Sequence, residues 1–95
     1  MPTTVFVRHS VNDYAAWKRV YDDLGAARKQ GGILGASVHR DVADAKTVVV
    51  THRFPTTAAA QGFVSSPDLK AAMQRAGVSG PPTIWIAEDV EATAF

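Results

Sequence analysis

Cysteine is absent from the 95 residues, which removes disulfides, thiol nucleophiles and thiolate metal sites together. An excess of charge is also missing: 10 Lys and Arg against 9 Asp and Glu leave a formal net charge of +1, and no block of like charge occurs. That balance argues against a nucleic-acid footprint and against a polybasic membrane patch. No apolar run reaches the roughly 18–20 residues that a membrane span needs, and MPTTVFVRHS lacks the basic start and long apolar stretch of a signal peptide. The expectation is a cytoplasmic protein without nucleic-acid or membrane partners. Length bounds the rest. Residues 1–95 suit one domain, and such a chain buries only about 60–65% of the surface that its unfolded form exposes, so help from a second subunit is expected. Chemistry is left to His, Tyr, Ser, Asp, Glu and Asn, or to a bound group.

What is present is clear periodicity. TTVFVRH, Thr3 to His9, alternates with a period of two and reads as a first strand, with Val5, Val7 and His9 on one face and Thr4, Phe6 and Arg8 on the other. Tyr14, Trp17, Tyr21, Leu24 and Arg28 then recur at helical steps, predicting a helix that Asn12 or Asp13 caps and Gly31-Gly32 stop. ILGASVHRDV, from Ile33 to Val42, and TVVVTHRF, from Thr47 to Phe54, read as two strands of a hairpin joined by a short turn. The third strand carries Val48 and Val50 against Val49, so both of its faces should avoid water. A short helical segment holding Phe63 follows Pro55.

SSPDLKAAMQRAGVSGPP, Ser65 to Pro82, is dense in conspicuous residues, and each has a local structural task. Ser66 suits an N-cap, Pro67 the first helical position and Asp68 the positively polarised first turn. Leu69, Ala72, Met73 and Ala76 form a stripe expected to be buried, Gly77 suits a left-handed stop, and SGPP sends the chain extended into TIWIAE, a fourth strand. The order βαββαβ predicts a ferredoxin-like α+β fold: a four-stranded antiparallel sheet of order 4-1-3-2 with two helices on one face. Helices then cover one face only, and a second copy of the sheet would cover the other.

VNDYAAWK, VVVTHRF and SPDLKAAMQRAGVSGPP resemble the dimeric α+β-barrel superfamily, and within it a small bacterial cyclase-like, antibiotic-biosynthesis-monooxygenase-like branch. The resemblance covers almost the whole chain. It implies a ferredoxin-like monomer, a homodimer in which two sheets close into a barrel, and a cavity in each monomer between helices and sheet. Related groups include cofactor-free monooxygenases of aromatic polyketides, haem-degrading monooxygenases, and small lyases and isomerases. The haem-degrading group resembles this chain in fold but uses an Asn in the first strand, a Trp in the second helix and a later His. Here Val and Phe occupy the first strand, Phe63 the second helix, and no His follows His52, so haem chemistry is not expected.

Three His stand beside Arg, in Arg8-His9, His39-Arg40 and His52-Arg53. A three-His metal site is not expected, because the topology sends His9 and His39 toward one end of the sheet and His52 toward the other, and because metal-binding spacing is missing. His52 is the leading acid–base candidate, since imidazole titrates near neutrality and Val48 and Val50 share its face, with His9 in support. His39, on the edge strand, reads as solvated or in a dimer contact.

Tyr14, Trp17, Tyr21, Phe63, Met73 and Trp85 either build the core or line a cavity for a planar apolar ligand, and Trp17, Tyr21, Phe63 and Trp85 are the substrate-binding candidates. Arg53 is a candidate for orienting an acidic or enolate substrate. Ser65 and Ser66 lack a neighbouring base, and GVSGPP lacks the Lys-Ser/Thr end of a phosphate loop. The expected function is cofactor-free proton-transfer chemistry on a small apolar or aromatic metabolite, of cyclase, isomerase or monooxygenase type. The alternative is a non-catalytic ligand-binding or structural homodimer.

Overall fold

Strand parity decides which side chains meet the core. In the computed structural model, which describes residues 2–94, β1 (Thr3–Val11) buries Thr3, Val5, Val7, His9 and Val11, and its intervening residues are half-buried or exposed. β3 (Thr47–Phe54) pairs with it antiparallel, Val5 opposite His52 and Val7 opposite Val50, and directly opposed residues share a face. Val48, Val50, His52 and Phe54 therefore join the buried set. β2 (Gly35–Arg40) and β4 (Val78–Glu88) flank this pair in the order β2-β3-β1-β4, every neighbour antiparallel. This is the expected ferredoxin-like order.

The helical segments cover one face. α1 (Tyr14–Asp23) opens on Asp13, whose Oδ1 accepts from the Ala15 amide at 2.9 Å. The single long helix expected up to Gly31 is divided: the chain leaves helical geometry at Leu24 (φ −90°, ψ 4°) and resumes as α2 (Gly25–Gln30). Gly25 stands at the break, where its low helix propensity does least to hold the ladder together. After β3 come α3 (Thr57–Val64), capped by Thr56, and α4 (Pro67–Arg75), capped by Ser66 with Pro67 in its first turn. α4 stops before Gly77, whose φ of +78° is the left-handed conformation expected there.

Three strands differ from their expected bounds: β1, expected to end at His9, runs on to Val11, and β2 and β4 differ as follows. β2 ends at Arg40 because Asp41 turns the chain: its Oδ1 accepts from the amides of Ala43 and Asp44, and Asp44 in turn accepts from the Lys46 amide and the Thr47 hydroxyl. β4 begins earlier than expected, at Val78, and takes Pro81 and Pro82 into the strand. It lies at the sheet edge, where a missing amide costs least, and an irregularity opposite Arg8–Ser10, with Gly80 at φ +75°, absorbs the extra residues.

Phe54, Val5, Val11 and Val48 form the deepest part of the core, between sheet and helices. The other sheet face carries Phe6 and Trp85, stacked at 5.2 Å and nearly parallel, beside half-buried Val49. No helix among the described residues is long and apolar enough to cross a membrane.

Candidate functional site

Between the sheet and the helices lies a cavity of about 350 Å³, within the size range of small-molecule sites. Its floor is made by the inward faces of the two central strands: Val7 and His9 from β1, Val50 and His52 from β3. α1 supplies one wall through Trp17 and Tyr21, one helical turn apart. Phe63 from α3 and Leu69, Ala72 and Met73 from α4 supply the opposite side. The α4 stripe was expected to be buried, but Leu69, Ala72 and Met73 are only half-buried because they border this space.

The aromatic side chains form one connected run. The His9 ring lies 5.7 Å from Trp17, Trp17 lies 5.1 Å from Tyr21, Tyr21 lies 6.4 Å from His52, and His52 lies 4.9 Å from Phe63, all between ring centres. Such contacts, at interplanar angles from 24° to 55°, hold each ring against its neighbours and leave an apolar wall. The two imidazoles interrupt it chemically. His9 and His52 are 6% and 5% exposed, and both nitrogens of His9 and the Nδ1 of His52 are buried with no hydrogen-bond partner among the described residues. Unpartnered buried polar atoms are costly.

Burial also sets their charge. Desolvation pushes the pKa of His9 below its ordinary value of 6.5. For His52 desolvation is again the larger cause and the nearby Arg28 guanidinium adds to it, bringing the value down to about 4. Both rings are therefore neutral at pH 7, able to accept a proton or share a hydrogen bond. Arg28, half-buried on α2, lies with its guanidinium carbon 3.7 Å from the centre of the Tyr21 ring and also lines the cavity.

Residues 13–75, spanning α1 to α4, match the model of a family described as antibiotic biosynthesis monooxygenase. The chain belongs to the antibiotic biosynthesis monooxygenase family. No curated protein matches it. Solved structures do. Rv0793 from Mycobacterium tuberculosis is 13% identical with a TM-score of 0.74, over 99% of this chain and 100% of that one. A variant of SnoaB, a cofactor-independent oxygenase from Streptomyces nogalater, is 14% identical with a TM-score of 0.75, over 96% and 95%. NE2512 from Nitrosomonas europaea, a protein of unknown function, is 20% identical with a TM-score of 0.77, over 98% and 93%. At these identities the likeness is one of fold.

On this antibiotic biosynthesis monooxygenase fold, the structure brings together His9, Trp17, Tyr21, His52 and Phe63 around one space. It separates Arg53 and Trp85 from them, a correction to the expected site. Arg53 follows His52 in β3 and so points to the opposite sheet face, where its Nε donates to Asp89 at 2.8 Å. Trp85 lies between Ile84 and Ile86, pairs with Phe6 and shares the face away from the helices. Tyr14 stacks behind Trp17 under the Arg40 guanidinium and does not border the cavity. His39 is exposed on that outer face, bonded to the Ser37 hydroxyl at 2.9 Å, so the three imidazoles do not converge. Sequence reasoning placed Arg28 on the helical stripe and missed its part in the cavity. The available signal was a cation at an inward stripe position.

Proposed function

We propose that this protein is a cytoplasmic homodimeric enzyme that binds a small, largely apolar or aromatic metabolite in the cavity and moves a proton on it without a cofactor, in a cyclase-, isomerase- or monooxygenase-type reaction. The observation that carries the reading is the pair of neutral imidazoles, unpartnered among the described residues, on a mostly apolar, ring-lined wall. The description of SnoaB as a cofactor-independent oxygenase supports the same class of chemistry.

His52 is the proposed base. A substrate C–H or O–H bond breaks heterolytically, the proton passes to an imidazole nitrogen, and the electron pair stays on the substrate as an enolate or phenolate. A base already neutral at pH 7 is ready to accept, and the imidazolium that forms is offset by the new anion beside it. Trp17, Tyr21 and Phe63 hold the ring plane against the wall, and His9 offers a second hydrogen-bonding group along the same floor.

The test is solvent deuterium exchange. Planar enolisable aromatic ketones are incubated with the protein in D₂O, and loss of the exchangeable C–H signal is followed by NMR, with oxygen uptake recorded in parallel. Exchange faster than buffer that falls roughly 100-fold or more in His52→Ala, with the fold retained, is the expected outcome. Binding without exchange in either protein would make this a ligand-binding dimer and remove the catalytic assignment.

A further inference from the structure

Arg28 places an unbalanced charge on the cavity wall. Ion pairs among the described residues join Arg8 to Asp41, Lys18 to Asp22 and Arg53 to Asp89, and Arg28 is in none of them. Its Nη1 donates to the Tyr21 carbonyl oxygen at 2.5 Å, and the guanidinium lies over the Tyr21 ring. These two contacts hold the side chain in place, yet they occupy one of the five N–H donors that a guanidinium carries. Among the described residues, the other charged group bordering the cavity, Asp68, is exposed in the first turn of α4 and beyond ion-pair distance. His9 and His52 are neutral, and the remaining wall is mostly apolar. A guanidinium fixed in such surroundings, with donors to spare, attracts a planar oxyanion more strongly than it would in water.

We infer that the cavity takes an apolar ligand bearing one acidic group, a carboxylate or a comparably planar oxyanion, and that Arg28 receives that group. This rests on the reading of the cavity as the ligand site. Because Tyr21 touches both Arg28 and His52, an acid anchored on Arg28 sits at the His52 end of the cavity, and the apolar body of the ligand extends along Trp17 toward His9. Arg28 thereby selects the ligand and sets its direction.

Two probes of the same shape separate charge from apolar fit: 2-naphthoate and the neutral 2-naphthalenemethanol, titrated near neutral pH by calorimetry and by NMR. The expected result is that 2-naphthoate binds roughly tenfold tighter or more, and that Arg28→Gln brings the two probes to about parity while binding the alcohol as the wild type does. Retained alcohol binding shows that the variant is folded with its cavity intact, and Asp68→Asn should keep the preference for the acid. In the wild type, the Arg28 Nε–H signal should shift with naphthoate and stay still with the alcohol, a readout that does not depend on how any variant folds. Equal affinities in the wild type, an acid preference that survives Arg28→Gln, or an unmoved Nε–H signal would overturn the inference and leave the apolar cavity standing. Failure of both probes to bind would remove the ligand site itself.

Discussion

His52 shows how one residue links stability to function. Its pKa in the folded chain, about 4, lies below the ordinary 6.5, so between these values the unfolded chain takes up a proton that the folded chain refuses. The contribution to stability is therefore complete above pH 6.5 and declines as pH falls toward 4, by up to roughly 3 kcal/mol across that window. Melting temperature measured from pH 7.5 down to pH 4 should fall through this interval, and His52→Gln should flatten much of the fall; an unchanged profile would show that the ring is not desolvated. His9, shifted in the same direction by burial, accounts for part of the remaining slope. That His9 shares a face with Val5 and Val7, and His52 one with Val48 and Val50, was legible from strand parity alone. Their lack of partners was not, because it depends on what three other elements bring near them.

At the scale of elements, two glycines make opposite predictions. Gly77 ends α4 at φ +78°, and a Cβ there would meet Asn12 Nδ2 at an ordinary 3.6 Å, so the cost of Gly77→Ala is backbone strain alone, about 1–2 kcal/mol. Gly62 lies inside α3 with nothing within 4 Å of the point where a methyl group would stand, and Gly62→Ala should stabilise by about 0.5–1 kcal/mol through helix propensity. Chemical denaturation of the two variants checks both signs. Caps, stops and turn residues were readable because each acts within a few positions of itself: Asp13, Ser66, Pro67 and Gly77 all serve as expected. The break at Leu24–Gly25 was not readable, since the stripe from Tyr14 to Arg28 runs across it without losing phase.

For the whole molecule, the sheet face that the helices leave uncovered is where the proposed dimer would form. Trp85 is 43% exposed and stacked on Phe6, with Val49 nearby, and burying this strip against a second copy would give the thin core the cover it lacks. Sedimentation at micromolar concentration should give twice the 10.1 kDa chain mass, and Trp85→Glu should shift the protein toward the monomer with its circular dichroism unchanged. A wild-type monomer would remove the closed barrel. Around the strip, Thr4 and Arg53 both bond Asp89, and their hydrogen bonds hold its carboxyl below the usual range. These polar groups border the apolar centre and would rim the proposed contact with a second copy.

Period, parity and local punctuation are properties of neighbours in the chain, and from them the sequence by itself determined the strand order, the shared face of Val5, Val7 and His9 and that of Val48, Val50 and His52, and the helix ends at Asp13, Ser66 and Gly77. Tertiary structure alone decided that the α4 stripe borders a space instead of filling it, that Arg53 and Trp85 leave the site, and that Arg28 enters it. The reason is physical. Which face a residue occupies follows from its own backbone, whereas a cavity exists only where several faces fail to close on one another, and that gap is a property of their packing together.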